Sequence, residues 1–382
     1  MTINTKELYR LPWKADDNPN GWIEVTIYCQ LKCPGCYRGL AEEGAKRLHA
    51  PLDKLKEEVT LHRKYRNAQT ISIAGGEPLL YPHLQEIIAF IAGLGMKVKI
   101  YTNGLALTRE KLERLKISGA TEFIIHADLY QQRPDMTGPD SIDQLREHFC
   151  RLFRDVGGIN LGFIMPVSLG DIHQVAGLCR FAKRNADIIS LLVFIPYKEM
   201  LPATQSSFKK EGLCSIGMEK LAETVGEAYS CRPCAYLGKK HSRKVSWLFF
   251  VPLLRGSKVA GHLKPHQYRF FQQRYRKKKC RYFITVNGNN VRLSSLAAAG
   301  EPVAAASHWL KRHLWKNSGE QPLRYQVILL IDPPDHLPEG WDLCDGCPDA
   351  MFFGNSLVPS CLLERVKSGE DIVISKALIS DI

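Results

Sequence analysis

No apolar run in this chain of 382 residues reaches the ~18 residues needed to cross a bilayer. The nearest, VSWLFFVPLL, is too short and carries Pro252. The first residues, MTINTKELYRLPWKADDNPNG, lack the apolar segment of a secretory signal. These absences argue against a helical membrane span and read as a cytoplasmic protein whose thiols stay reduced. Acidic residues are also scarce: 39 Asp and Glu face 52 Lys and Arg, for a formal charge of +13. That imbalance favours an anionic partner, whether nucleic acid, phospholipid surface, nucleotide or acidic peptide, without choosing among them. There is no internal repeat and no low-complexity segment. With 45% apolar and 24% charged residues the composition is that of an ordinary globular protein. The length suits two or three domains, or one large domain with an extension.

Between residues 22 and 196 the chain alternates strand and helix patterns. WIEVTIYC, TISIAGG, KVKIYTNG, EFIIHADL, INLGFIMP and IISLLVFIP read as six buried strands. The segments between them place apolar residues at helical spacing, as with Leu52, Leu55 and Val59, or Leu84, Ile87, Ile88 and Ile91. Thr108 suits a helix start and Gly119 its stop. Six such units predict an α/β fold, a partial (β/α)6 barrel of parallel strands with helices outside. Its chemistry is expected at the carboxyl ends of the strands. After about Tyr197 the regularity stops. We expect an N-terminal arm at 1–20, a core at 21–200 and a smaller cysteine-containing α+β C-terminal domain at 201–382. In that last part, Asn287-Gly288 suits a hairpin turn.

Twelve cysteines in a long chain without an export signal point to metal or redox chemistry rather than a disulfide framework. Three of them crowd into IYCQLKCPGCYRG: Cys29, Cys33 and Cys36. A closed structural zinc site wants four ligands, and no His or Cys lies nearby to complete it; His49 and His62 belong to the next helical segment. Three thiolates can instead hold three irons of a 4Fe–4S cluster and leave the fourth iron open to a small molecule. Zinc or a redox dithiol is the bland alternative. The loop begins where the first core strand ends. On the same rim lie Gly75, Gly76, Glu77 and Pro78 after the second strand. Thr102 and Asn103 follow the third, and His126 and Asp128 the fourth. Adjacent glycines permit close backbone approach, and a carboxylate such as Glu77 can accept from an ammonium group. Polar strand ends are also commonly mere caps. Cys150 and Cys179 sit on apolar helical faces and read as core; Cys214 is unassigned.

The C-x3-C-x2-C at the end of the first strand, with GGEP after the second, resembles the radical S-adenosylmethionine (SAM) enzymes over roughly residues 20–200. The resemblance implies that Cys29, Cys33 and Cys36 ligate the cluster and that SAM binds its open iron through amine and carboxylate. It implies that Glu77 and the Gly75-Gly76 backbone hold the amine. Thr102, Asn103 and Asp128 become candidates for the ribose or carboxylate. The implied reaction passes one electron to the sulfonium, breaks its C5′–S bond, and lets a 5′-deoxyadenosyl radical take hydrogen from a substrate. Methyl transfer, performed by some relatives, is a variant. The position before the third cysteine is usually aromatic in that family. Here it is Gly35, which leaves any stacking on adenine to Tyr37.

A second set of thiols closes the chain: Cys344, Cys347 and Cys361, with MFFGNSLVP between them reading as a hairpin that turns near Gly354-Asn355. Two ligands on a knuckle and one on a returning hairpin form a metal site. The arrangement resembles the SPASM and twitch auxiliary-cluster domains of radical SAM enzymes, with Ser294 or Ser295 where a SPASM domain would carry a cysteine. We expect one auxiliary 4Fe–4S cluster, its fourth ligand Cys234, with Cys231 and Cys280 as alternatives. A four-thiolate zinc or iron site built from Cys231, Cys234, Cys344 and Cys347 is the competing arrangement.

YRFFQQRYRKKKCR, residues 268–281, interleaves aromatics with basic residues. A solvated helix face is the plain reading; the functional ones are tracking a nucleic acid backbone or lying on an anionic membrane, and WLFFVPLL just upstream tilts toward a lipid-like substrate or membrane contact. The expected partners are SAM, a peptide or lipid substrate, and an electron donor such as flavodoxin or ferredoxin. Nucleic acid is disfavoured. A metal-stapled nucleic-acid-binding protein without catalysis is the rival, and it leaves GGEP and the six-unit alternation unexplained. Anaerobically purified protein is expected to be brown, with about eight iron per chain if both sites hold 4Fe–4S clusters. A colourless, zinc-only preparation in metal analysis would favour the rival.

Overall fold

A computed structural model of the chain describes residues 2–33, 36–38, 48–129, 131, 133–136, 138, 141–202, 214–279, 282–283 and 322–376. Gly35, Cys280, Asn287-Gly288, Ser294 and Ser295 lie outside the described residues.

The chain opens with β1 (Tyr9–Arg10) and then runs through strand–helix units. These are β2 (Asn20–Thr26) with α1 (Leu52–Arg66), β3 (Thr70–Gly75) with α2 (Leu84–Gly93), and β4 (Lys97–Thr102) with α3 (Arg109–Ser118). They continue as β5 (Ala120–His126) with α4 (Ser141–Val156), β6 (Asn160–Val167) with α5 (Ile172–Arg184), and β7 (Ile189–Pro196) with α6 (Met218–Tyr229). β2 to β7 pair parallel, each with the next in chain order. This is the expected α/β architecture. α3 starts and stops as its sequence implies: the Thr108 side chain accepts from Lys111 N, and Gly119 ends the helix at φ +112°.

The remainder holds β8 (Ala235–Gly238), β9 (Val245–Phe250), β10 (Pro252–Arg255), β11 (Lys258–His262), α7 (Pro265–Lys279), β12 (Leu323–Tyr325) and β13 (Val327–Ile331). Then come β14 (Asp335–Leu337), β15 (Gly340–Asp342), β16 (Ala350–Phe353), β17 (Ser356–Pro359), α8 (Leu363–Lys367) and β18 (Ser375–Lys376). The central sheet continues into this part, in the order β1-β8-β9-β13-β7-β6-β5-β4-β3-β2. β13 lies parallel to β7 and antiparallel to β9. VSWLFF, the apolar run, is β9, every residue of which is buried between β8 and β13. It is a core strand, and no helix among the described residues is long and apolar enough to cross a membrane. Three small antiparallel sheets accompany the main one: β11-β10-β12, β14-β15 and β16-β17-β18. The β16–β17 hairpin turns at Gly354-Asn355 as expected, with φ +56° at Gly354.

The sheet has two apolar faces. Ile71, Ile73, Val98, Ile100, Phe123, Ile125, Leu192 and Phe194 pack under the helices. Ile124, Leu191, Val193, Trp247, Phe249 and Leu329 form a second core on the other face, joined by Leu11 and Trp13 of the N-terminal segment. The β16–β17 hairpin packs on that second face through Met351 and Val358 against Trp22 and Ala74.

One buried cation links distant parts of the chain. Arg66, the last residue of α1, is 1% exposed. Its guanidinium donates to the carbonyls of Ala15 (2.9 Å), Asn20 (3.1 Å), Ala350 (3.2 Å) and Cys347 (2.6 Å). The planar fork of arginine reaches four acceptors that a lysine ammonium could not span. Burial holds its pKa down, to about 10. Arg66→Ala strands these carbonyls, so a loss of about 3 kcal/mol or more is expected. Chemical denaturation should show it, and Arg66→Lys should recover less than half.

Candidate active site

The carboxyl rim of the sheet is assembled around the first cysteine loop. β2 ends at Thr26, whose carbonyl accepts from Gly76 N at 2.7 Å, while Tyr28 O accepts from Glu77 N at 2.8 Å. A Cβ at Gly75 would stand 2.3 Å from Thr26 O, and one at Gly76 2.3 Å from Tyr28 O. Gly75 also has φ +120°. The two glycines therefore let the end of β3 lie directly on the backbone that leads into Cys29.

Glu77 is fully buried. Its Oε1 accepts from Leu79 N (2.9 Å) and Thr102 Oγ1 (2.5 Å), and its Oε2 from Asn103 N (2.8 Å). Burial pushes its pKa up, and those donors oppose the shift. Thr102 Oγ1 in turn accepts from Gly104 N at 2.9 Å. Asn103 Oδ1 accepts from Leu105 N at 2.9 Å, and its Nδ2 faces Cys29 Sγ at 3.7 Å. Leu31 N also points at Cys29 Sγ, at 3.5 Å. The residues Glu77, Thr102 and Asn103 thus form one chain of hydrogen bonds from the ends of β3 and β4 to the first thiol.

Cys29, Cys33 and Cys36 are all partly accessible. Burial pushes Cys29 up to about 11, with Glu77 and Cys36 adding to it. Cys33 is raised by burial and then by Cys36, Asp128 and Cys29, with Arg133 opposing. The three sulfurs therefore lie within each other's electrostatic reach. Among the described residues, no group of three or more His, Cys, Asp or Glu side chains closes around a metal-ion position. The donor set itself suits an iron–sulfur cluster: three thiols on one loop, with an amide N–H and the Asn103 amide aimed at a sulfur. With their pKa values raised, Cys29 and Cys33 hold their protons at neutral pH as bare thiols, so loading them with metal must release protons.

Asp128 is also buried. Its Oδ2 pairs with His126 Nε2 at 2.5 Å. Arg133, unforeseen in the sequence, donates to Asn103 O (2.5 Å) and pairs with Asp135 (2.8 Å). Nothing beyond its place in the loop after β5 marked it out. Arg38, two residues past Cys36, was also missed. Its guanidinium pairs with Glu24 of β2 and, at 2.9 Å, with Glu364 of α8. Tyr37 packs in a cluster with Leu343, Cys361 and Leu362.

The C-terminal thiols converge. Cys344 Sγ accepts from the Cys347 thiol, from Ser246 Oγ at 2.7 Å and from Trp247; these donors and the Lys239 charge hold its pKa down against burial. Cys361 is raised by burial and then by Cys344. Gly346 makes the knuckle possible: at φ +71°, a Cβ there would stand 2.3 Å from Trp13 O. Asp349 sits beside this group, pushed up to about 6 by burial against the pull of Lys99 and Arg66. Cys234 is elsewhere. Its Sγ donates to Phe249 O at 3.4 Å, and its neighbour among the thiols is Cys231. Lys239, which bridges to Cys344, lies past the opposite end of β8. Cys234 Sγ meets Phe249 and Cys344 Sγ meets Ser246, three residues apart on β9, which is roughly 10 Å at strand rise. Cys344 and Cys347 are in contact, Cys361 lies within their electrostatic reach, and Cys234 is not among them.

Residues 23–178 match the family described as the Radical SAM superfamily. That stretch of the chain is similar to a radical SAM domain. It is 25% identical over 179 residues to 7,8-dihydro-6-hydroxymethylpterin dimethyltransferase of Methanocaldococcus jannaschii, covering 46% of this chain and 35% of that one. It is 29% identical over 179 residues to a probable GTP 3′,8-cyclase of Methanococcus vannielii, covering 46% of this chain and 58% of the other. The match thus spans less than two thirds of the length of either relative. Among solved structures, SuiB of Streptococcus suis bound to S-adenosylmethionine aligns over 56% of this chain and 48% of its own, at 20% identity and a TM-score of 0.42.

Glu77→Ala is expected to leave Leu79 N, Thr102 Oγ1 and Asn103 N without their acceptor. The cost is about 2–4 kcal/mol, together with a misplaced Asn103. Iron retained after anaerobic reconstitution should fall along with the melting temperature. Unchanged iron content at an unchanged melting temperature would show that the network does not hold the loop.

Proposed function

We propose that this protein is a radical SAM enzyme, with Cys29, Cys33 and Cys36 holding the SAM-binding 4Fe–4S cluster and an auxiliary cluster at Cys344, Cys347 and Cys361. The single observation that carries the reading is the hydrogen-bond chain from Glu77 through Thr102 and Asn103 to Cys29, which unites three successive strand ends at one thiol. When bound, the cluster and SAM supply one-electron cleavage of the sulfonium and a 5′-deoxyadenosyl radical that takes hydrogen from the substrate.

The chain's own residues hold and screen that centre. Leu31 N and Asn103 Nδ2 direct donors at the Cys29 sulfur. Both oxygens of Glu77 accept from internal donors at Leu79, Thr102 and Asn103, so its side chain holds the end of β4 beside the Gly75-Gly76 backbone. We assign the amine of SAM to that backbone, with Glu77 acting behind it. Asp128, oriented by His126, and the amide of Asn103 are the polar groups proposed to meet ribose or carboxylate. Ser246, Trp247 and Lys239 around Cys344 favour its thiolate form, which a metal ligand requires.

The substrate is proposed as a peptide or a lipid, the electron donor as a flavodoxin or ferredoxin, and residues 21–200 and 201–382 as the catalytic core and the auxiliary domain. α7 exposes Arg269, Phe270 and Lys277 on one side, which supports peripheral contact with an anionic lipid surface. The dimethyltransferase relative supports methyl transfer as a second reading, and S-adenosylhomocysteine would be its product.

With dithionite and SAM under anaerobic conditions, the protein should release 5′-deoxyadenosine, and Cys33→Ala should abolish release. Continued release from that variant would overturn the assignment. Cys347→Ala should lower bound iron from about eight to about four per chain while leaving some release. Iron that stays near eight would remove the auxiliary site from the proposal.

A further inference from the structure

Alternate residues of the middle strands face away from the helices, and these keep some accessibility although strands flank them on both sides: Lys97, Lys99 and Tyr101 on β4, and Glu122 on β5. They open onto a cavity of about 120 Å³ that is also lined by residues of β9 and β13. Walls drawn from strands so far apart in the sheet order mean that the sheet curls around this space. Trp247, Tyr101 and Tyr325 supply aromatic surface, and Asp349 enters from the C-terminal knuckle. Within this lining Lys99 Nζ stands 3.1 Å from Glu122 Oε2, with the two side chains 22% and 19% exposed. Ser190 Oγ lies 3.5 Å from the other Glu122 oxygen. An ion pair withdrawn from bulk water gains little for the fold, and an apolar pair of similar volume would serve as well. Convergent polar groups on an aromatic wall are what a ligand site presents.

We propose that the Lys99–Glu122 pair is the recognition edge of a ligand site inside the curl of the sheet, for a planar heterocycle whose ring carries a C=O next to an N–H. The ammonium donates to the ring carbonyl and the carboxylate accepts from the neighbouring N–H, while the aromatic side chains cover the ring faces. A cavity of roughly 150 Å³ holds a benzene ring, so this somewhat smaller space of about 120 Å³ suits the single ring that carries the C=O and N–H edge, with the rest of a larger ligand lying outside it. Lys99 precedes Thr102 on β4 by roughly 10 Å of strand, which puts this edge beneath the cysteine rim. The binding does not rest on the radical SAM reading, and the ligand stands beside the peptide or lipid proposed as substrate, not in its place.

The test is saturation-transfer NMR on the full-length anaerobic protein, without SAM or reductant, using guanosine, uridine and pterin as probes. At least one should bind, and SAM, which has no such ring edge, should not displace it. 1-Methylguanosine, which lacks the N–H, should bind at least tenfold more weakly than guanosine where guanosine binds. Lys99→Met and Glu122→Gln should each weaken the bound probe at least tenfold. The double variant Lys99→Met/Glu122→Leu removes both members of the pair and leaves Asp349 to Arg66 and Asn20, so it should melt within a few degrees of the parent and still fail to bind. No binding by any probe, displacement by SAM, or undiminished binding in the double variant would overturn the site. Loss of 5′-deoxyadenosine release with probe binding intact would instead count against the radical reading alone.

Discussion

A carboxylate sealed from water must be met by donors or be protonated, and Glu77 is met by three. That requirement organises the rim. Thr102 and Asn103 cannot move without stranding the acid, and Asn103 cannot move without releasing its contact with Cys29. Strand order adds to this. Because β2, β3 and β4 are consecutive neighbours, residues at their carboxyl ends fall side by side although the chain separates them widely. The glycines in front of Glu77 complete the arrangement by letting two backbones touch where side chains would keep them apart.

The two cysteine groups are held to one frame by buried cations. Arg38 ties the first loop to β2 and to α8. Arg66 ties α1 to the second knuckle through carbonyl acceptors alone. The carboxyl of Asp349 lies within electrostatic reach of that guanidinium. Were Cys344, Cys347 and Cys361 to bind metal as thiolates, that cation would offset part of their charge.

Much of this was legible in the chain itself, and the reason is locality. Cys29, Cys33 and Cys36 lie within one loop, and GGEP within another. The strand and helix periods on either side declare which ends share a rim. The caps at Thr108 and Gly119 and the turn at Gly354 are equally local. What was not legible depends on distance along the chain. Nothing near Val327 announces that β13 will lie beside β7, and nothing near Arg66 announces the carbonyl of Cys347. Cys234 shows the limit most clearly. Its CxxC spacing makes it an attractive ligand, but β8 carries the chain away from it before the Cys344 knuckle arrives. The donors Asn103 and Leu31 at Cys29 likewise come from geometry, since a strand-end Asn looks like a cap until its neighbour is known.

The Arg38–Glu364 pair has a mechanical corollary. α8 stands near the end of the described chain, and its carboxylate grips the arginine that follows the first cysteine loop. Strain applied to the tail, by a fused tag, a proteolytic nick beyond Cys361 or a docked protein, is therefore transmitted to the opposite end of the polypeptide. α8 thus acts as a tether on the loop that carries Cys29, Cys33 and Cys36.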